Sequence, residues 1–341
     1  MPARTKRPTL RDIAAETGLS PAAVSYALRG LQVPEATQER VREAAERLGY
    51  QVDPIARALA SGRSGYVGLL CGSQEDSWQQ SVLAALGREL LTAGLGALMV
   101  DAINDPELER DLAQRLVDQR VDALIVLPLD PAAPHWAEIA RRTVLVSIGD
   151  SLPGAATAAE VVFDNVAGVT DALGRLAAAG HRRVAVLSPN AASTPDRPSE
   201  AVVHRVAPAL GLLEQVRMCP HDLDGATEVA ASLLSGPDRP TAVLCLADSF
   251  AYGVYQAARD LGLRVPEDVS VLGFDDRPVS RLLSPPLSSY RWPMEEMVEA
   301  VVRRTVRAIE EGTRSKRKVL DAQPQMRGSV APPPGHQPGA S

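Results

Sequence analysis

Thr9-Leu10-Arg11-Asp12-Ile13-Ala14-Ala15-Glu16-Thr17-Gly18-Leu19-Ser20-Pro21-Ala22-Ala23-Val24-Ser25-Tyr26-Ala27-Leu28 spells two short helices separated by a three-residue turn. Thr9 is a residue that caps a helix, Asp12 falls in the first turn, and Gly18 suits the position where a helix ends in a left-handed conformation. Leu10, Ile13 and Ala14 share one face. Ser20 then offers a second cap and Pro21 fits the first helical position, where its missing N–H costs nothing. Val24 and Leu28 stand one turn apart on a common face.

Working outward, the spacing predicts a third helix from about Pro34 to Leu48, with Val41, Ala44, Ala45 and Leu48 inward and Gly49 as its stop. Three such helices close a miniature core. The turn leaves the second helix standing across the first with its outer face free, the arrangement that enters a DNA major groove; a generic helical hairpin has the same spacing. Beyond it, Asp53-Pro54 can start a helix that Ile55-Ala56-Arg57-Ala58-Leu59-Ala60 continues and Ser61-Gly62 ends. At under about ten residues it is too short to be stable alone in water, where roughly 12 to 15 are needed, so a partner must order it.

Charge follows the same division. The chain carries 36 Lys/Arg against 42 Asp/Glu, a net of −6, but positions 1–64 hold an excess of three positive charges and the remainder an excess of nine negative ones. Arg4, Lys6, Arg7 and Arg11 open the chain with no acid among them. A basic start alone describes a solvated tail as well as a phosphate-binding arm.

The run Thr9–Ala14 with Gly18-Leu19-Ser20, Ala23-Val24-Ser25, Thr37, Arg40-Val41, Ala44 and Leu48-Gly49-Tyr50 resembles the DNA-binding headpiece of the lactose-repressor (LacI/GalR) family. The resemblance implies base reading by Pro21, Ala22 and Tyr26, and phosphate contacts by Thr9, Ser20 and Ser25, with Arg29 also on the DNA side. Tyr26 stands where an arginine is common and Ala22 has no hydrogen-bonding group, so the bidentate Arg–guanine contact is not expected from that turn. It also implies that residues 51–64 are a hinge helix that pairs with its copy in the minor groove. There Leu59 would wedge between base steps beside the small Ala56.

From Tyr66 the pattern alternates. Apolar runs at Tyr66–Cys71, Ala97–Val100, Ala123–Leu127 and Val144–Ile148 are separated by amphipathic stretches such as Val82–Ala93 and Glu107–Arg120. After position 160 the series restarts, with strands at Arg183–Leu187, Thr241–Leu246 and Val269–Gly273 and helices at Val166–Ala179, Thr227–Leu234 and Ser249–Leu261. That is the signature of parallel sheets in two α/β subdomains. Ala178–Val184 and Gly262–Asp276 resemble the type I periplasmic-binding-protein fold that the family uses for effectors. The expected fold is therefore an all-α helix-turn-helix headpiece (1–50) joined by the hinge helix and linker (51–64) to an α/β two-subdomain periplasmic-binding-protein-like domain (65–331). Subdomain one takes about 65–160 and 290–317, subdomain two about 161–289 and 318–331, and 332–341 is a disordered tail.

Ligands in such sheets bind beyond the carboxyl ends of the strands. The resemblance implies effector contacts by Asp76 and Trp78 after the first strand, by Asp248 and by Asp275, with Arg197 as a loose candidate for a family arginine. Carboxylates suit sugar hydroxyls, and Trp78 could stack on a sugar face; Asp275 equally reads as a buried acid pinning a turn. The chain departs from the family pattern at Asp76-Ser77-Trp78-Gln79, where Asn-Pro-Phe-Phe is usual, at Ala247 in place of Asn, and at Gly149-Asp150 in place of Asp-Arg. These departures point to an effector other than an ordinary hexose or to a degenerate pocket.

The five His are scattered without a nucleophile or metal-ligand spacing, the three Cys are far apart, and no glycine-rich phosphate loop appears. No enzyme activity, metal or cofactor is expected. No run reaches the roughly 20 apolar residues that cross a bilayer, and no apolar run follows the basic N-terminus. A soluble, cytoplasmic regulator without membrane contact is expected, with double-stranded operator DNA, a small-molecule effector and a second copy of itself as partners. A solute-binding protein for import shares the fold but has no use for residues 9–62.

Overall fold

The computed structural model describes residues 8–31, 33–50, 62–189 and 199–335. They form two compact units that divide between Ser64 and Gly65. The proposed hinge helix, with Ala56 and Leu59, and the candidate Arg197 lie outside the described residues.

In the first unit, α1 (Leu10–Thr17), α2 (Pro21–Leu28) and α3 (Glu35–Leu48) form where the capping residues direct. The Asp12 carboxylate accepts the backbone N–H of Thr9 at 2.7 Å and its hydroxyl at 2.8 Å, which ties the first turn of α1 to its cap. Ser20 Oγ accepts the N–H of Ala23 at 3.2 Å at the head of α2. Gly18 at φ 71° and Gly49 at φ 64° end α1 and α3 in the left-handed region, where a side chain costs about 1–2 kcal/mol. Ile13, Ala14, Val24, Ala27, Val41, Ala44 and Ala45 are buried together, and Leu10, Leu28 and Leu48 close the rim half-buried. Arg47 reaches from α3 to Glu16 of α1 at 2.9 Å.

The second unit holds two parallel sheets. β1 (Tyr66–Cys71), β2 (Gly96–Asp101), β3 (Ala123–Leu127), β4 (Val144–Gly149) and β5 (Ala159–Phe163) are joined by β11 (Lys318–Leu320) in the order β11-β5-β4-β3-β1-β2. β6 (Arg183–Pro189), β7 (Leu213–Cys219), β8 (Ala242–Cys245) and β9 (Ser270–Leu272) make the second sheet in the order β7-β6-β8-β9. Every residue of β3 is buried, as expected of a strand covered on both faces by helices. The crossovers α4 (Ser77–Thr92), α5 (Pro106–Asp118) and α6 (His135–Arg142) serve the first sheet, and α7 (Asn165–Ala178), α8 (Ser199–Ala209), α9 (Leu223–Leu234) and α10 (Asp248–Asp260) the second. α11 (Met294–Glu311) returns to the first sheet, against α4, β4 and β5.

The sequence pattern missed β5 and β7. β7 is an edge strand that leaves Leu213 and Met218 exposed, so it lacks the unbroken apolar run of its neighbours. Without β5 in view, the strand near Lys318–Asp321 had no edge to join and was placed in the second subdomain. The structure corrects this, because Lys318, Val319 and Leu320 pair in parallel register with Val161, Val162 and Phe163 of the first sheet.

Between the sheets runs a short antiparallel ribbon of β10 (Ser289–Arg291) and β12 (Gln323–Gln325). Asp276, with its side chain fully buried, anchors this ribbon. Its carboxylate meets Arg327 at 2.5 Å and Arg291 through Nε at 2.8 Å, and Arg281 stands 3.7 Å away. Further along, the ring of buried His181 faces Thr241 Oγ at 2.9 Å and the carbonyl of Ala331 at 3.0 Å, which holds the end of the last crossing on the second sheet.

Candidate functional site

Two faces collect the candidates. On the headpiece, Pro21, Ala22, Tyr26 and Arg29 are exposed along one stripe of α2 and Ser25 sits half-buried within it, as positions one and two turns apart must. The Arg29 guanidinium lies 5.2 Å from the centre of the Tyr26 ring, while its Nε donates to the carbonyl of Ser25 at 3.2 Å. The pair is thereby held against the helix with both residues exposed. Ser20 spends an acceptor lone pair on its cap and keeps its hydroxyl proton to give, whereas the Thr9 hydroxyl is already donated to Asp12.

In the second unit, a cavity of about 100 Å³ opens beyond the carboxyl ends of the strands. Its walls are the rings of Trp78, Phe163, Phe274 and Trp292, with Val169 and Leu246 behind them, and its polar groups are Asn165 and Asp275. Trp78 meets Phe163 edge-on at 5.4 Å, Phe163 stacks on Trp292 at 4.3 Å, and Phe274 stacks on Tyr290 at 4.7 Å. The chain has three Trp, six Tyr and three Phe, and five of these twelve rings converge here. Trp78 is nearly buried by that packing and lines the cavity.

The acids divide by role. Asp76 is half-buried and caps α4 by accepting the N–H of Trp78 at 2.8 Å. Asp248 lies behind the cavity, fully buried. It accepts Ser289 Oγ at 2.6 Å, the N–H of Arg277 at 2.8 Å and the hydroxyl of Ser280. Those bonds hold the turn after β9 and the start of β10, so its carboxylate is occupied by the protein itself. Burial pushes the Asp248 carboxyl up to about 6 despite them. Asp275, in the left-handed region at φ 98°, lines the cavity; burial first, and then the charges of Asp76 and Asp248, raise its carboxyl well above the usual carboxylate range, with Arg277 opposing.

Sequence reasoning missed Phe163, Asn165, Trp292 and His221. His221 follows β7 on the second lobe, with Nδ1 at 3.0 Å from Ser249 Oγ and its ring 4.8 Å from Phe250. Burial lowers its basicity against the pull of Asp76 and Glu75. Rarity of aromatics was the available signal: Phe163 and Trp292 each end or follow a strand in a ring-poor chain. The three cysteines are buried, and burial pushes Cys71 and Cys219 up to about 12, which leaves unreactive thiols.

Asp248 carries a pH dependence. Its carboxyl is harder to ionise in the folded chain, so its stabilising contribution is complete below the unfolded value near 3.8 and is lost as pH rises through about 6. Asp248→Asn should remove that slope. Between about pH 4 and 7 the wild type should lose about 2 kcal/mol relative to the variant in urea titrations. Parallel curves would show that Asp248 does not titrate in this way.

A capped reading helix in one unit and a two-lobed, cleft-bearing second unit define a DNA-binding regulator with a binding-protein-like sensor. The profile for bacterial regulatory proteins of the lacI family matches residues 9–53, and that for the periplasmic binding protein-like domain matches 173–330. The HTH-type transcriptional regulator MalR of Streptomyces coelicolor is 32% identical over 343 residues, 96% of this chain and 98% of its own. Catabolite control protein A of Priestia megaterium is 26% identical over 86% of this chain and 90% of its own. Among solved structures, the Lac repressor dimer bound to operator and the anti-inducer ONPF shares the fold at a TM-score of 0.84 and 22% identity, covering 96% of this chain and all of that one. The regulator CelR in complex with cellobiose gives 0.67 at 27% identity over 95% of this chain and 100% of its own. This chain belongs to the LacI family of bacterial transcription regulators. Among the described residues, no helix is long and apolar enough to cross a membrane.

Proposed function

We propose that the chain is a cytoplasmic repressor that binds a palindromic operator as a homodimer under the control of a small molecule held in the cleft. The observation that carries this is the exposed stripe of α2, fixed at its start by Ser20 and packed from behind by Val24 and Ala27. In this reading Pro21, Ala22 and Tyr26 meet base edges, Thr9, Ser20, Ser25 and Arg29 meet phosphates, and phosphate contacts set register while base edges set sequence. Thr9 has to release Asp12 to do so. No catalytic step is assigned to the chain.

Dimerisation is supported by apolar exposure on the second lobe, where Leu223, Val279 and Leu282 border a groove of about 990 Å³ along α10. Leu282, 82% exposed, lines that groove with them, and apolar side chains grouped on one surface mark an interaction site. A two-fold protein matches a two-fold site. Ligand and operator then change each other's affinity by the same factor, since both act on one equilibrium between cleft states. A ligand-independent cleft is the second reading, favoured by the packing of the rings on one another.

Selection of bound fragments from a genomic library tests the proposal; recovery of a shared palindrome is expected, and random fragments would sink it. The hinge can be tested separately by gel shift. Leu59→Ala should weaken operator binding by roughly tenfold or more and spare weak nonspecific binding, which should fall steeply with salt in both proteins. Equal operator affinities would remove the wedge.

A further inference from the structure

The effector cleft, taken as the binding site of the reading above, has a chemistry that selects among ligand classes. Its walls are aromatic rings, and no lysine or arginine is among the described residues that line it. Its ionisable group is Asp275, on the second lobe. The charges that bear on Asp275 are Asp76 from the loop after β1, Asp248 at the head of α10, and Arg277 beside it, while Asp76 and Glu75 bear on His221 after β7. Arg277 is the cation of this set, and its guanidinium donates to Ser81 Oγ of α4 at 2.7 Å while its backbone N–H serves Asp248. The imidazole of His221 is held neutral by burial, so the acids outnumber the cations.

We infer that the cleft takes a small amine, a protonated nitrogen carried on a compact single-ring body, with Asp275 as counter-ion and Phe163, Phe274 and Trp292 around the ring. An anionic effector would meet Asp275 and, among the described residues that line the cavity, no lysine or arginine. A neutral polyol could hydrogen-bond to Asp275 but would leave the proton that burial and Asp76 hold on that carboxyl. An ammonium displaces that proton and pairs with the carboxylate, while its apolar body packs against the rings. The cavity of about 100 Å³ suits a body of one ring.

The test is calorimetry on the full chain with three six-membered-ring probes that differ in one substituent: cyclohexylamine, cyclohexanol and cyclohexanecarboxylate. The amine should bind at least roughly tenfold more tightly than the alcohol, and the carboxylate more weakly than either. Amine binding should release protons, measurable in buffers of different ionisation enthalpy, and should strengthen from about pH 6 to 8. In Asp275→Asn the preference should shrink to within about threefold and the proton release should vanish. Should that variant fail to melt cooperatively, Asp76→Asn should reduce the proton release while keeping the preference for the amine. An alcohol that binds as well as the amine, a preference that survives Asp275→Asn, or no heat from any probe would overturn the inference. The same preparations are assayed for operator preference: intact DNA selectivity with no amine preference removes this inference alone, whereas lost DNA selectivity in the wild type removes the regulator reading.

Discussion

Asp276→Ala should destabilise the second unit by about 3 kcal/mol, and its melting temperature should fall by roughly 6–12 °C. The carboxylate is buried among Arg291, Arg327 and Arg281, and deleting it leaves three guanidinium groups with no counter-charge. Removal of one partner from a buried ion pair typically costs about 3–5 kcal/mol. The lower figure applies because Arg281 and Arg291 are about half exposed and can turn to water, while Arg327, 18% exposed, cannot. Arg327 follows β12 and Arg291 ends β10, so the loss falls on the ribbon between the two lobes. A second effect should accompany it: the lobes lose the pin that sets their register, and any ligand response should weaken more than stability alone explains. Chemical denaturation of the wild type and the variant, followed by tryptophan fluorescence, measures the first, and ligand titrations of the two proteins measure the second. A change below about 1 kcal/mol would show that the three arginines do not depend on the acid.

Ile13→Ala should abolish specific DNA binding and leave the second unit's melting transition unchanged. Ile13 is fully buried at the centre of a core of seven buried residues, of which four are alanines. Truncating a buried isoleucine costs about 2–5 kcal/mol, and a headpiece of this size has a total stability of only a few kcal/mol. The variant headpiece is therefore expected to be mostly unfolded at 25 °C. Because the two units are separate compact bodies, circular dichroism should show loss of about three helices' worth of signal with the high-temperature transition intact. Retention of near-normal operator affinity would mean that DNA itself supplies the missing stability, which a titration of affinity against temperature would expose.

Much of this was legible in the chain. Thr9, Asp12, Gly18, Ser20, Pro21 and Gly49 act within a few residues of themselves, and the helices they predicted end where those residues stand. The continuous apolar runs of β1, β3, β4, β6 and β8 were readable for the same reason, since a strand buried on both faces admits little else. β5, with a glutamate inside it, and edge strand β7, with Glu214 and Arg217, were not, because solvent or neighbouring polar groups meet part of each strand. The Lys318–Leu320 strand was visible as a strand, but its sheet depended on an edge 155 or more residues earlier in the chain.

The amino-acid sequence by itself determined the helical headpiece, the alternation of strands and helices and the family, because periodicity, capping and turn chemistry are short-range and leave their mark on adjacent residues. Tertiary structure decided which acids face the cleft. Asp248 and Asp275 look alike in the chain, yet one is sealed behind three hydrogen bonds and the other lines the cavity. The same holds for the rings, whose meeting depends on three crossings between lobes that no local pattern encodes. Burial and the distance between charges are properties of the folded whole, and they set what a side chain can do.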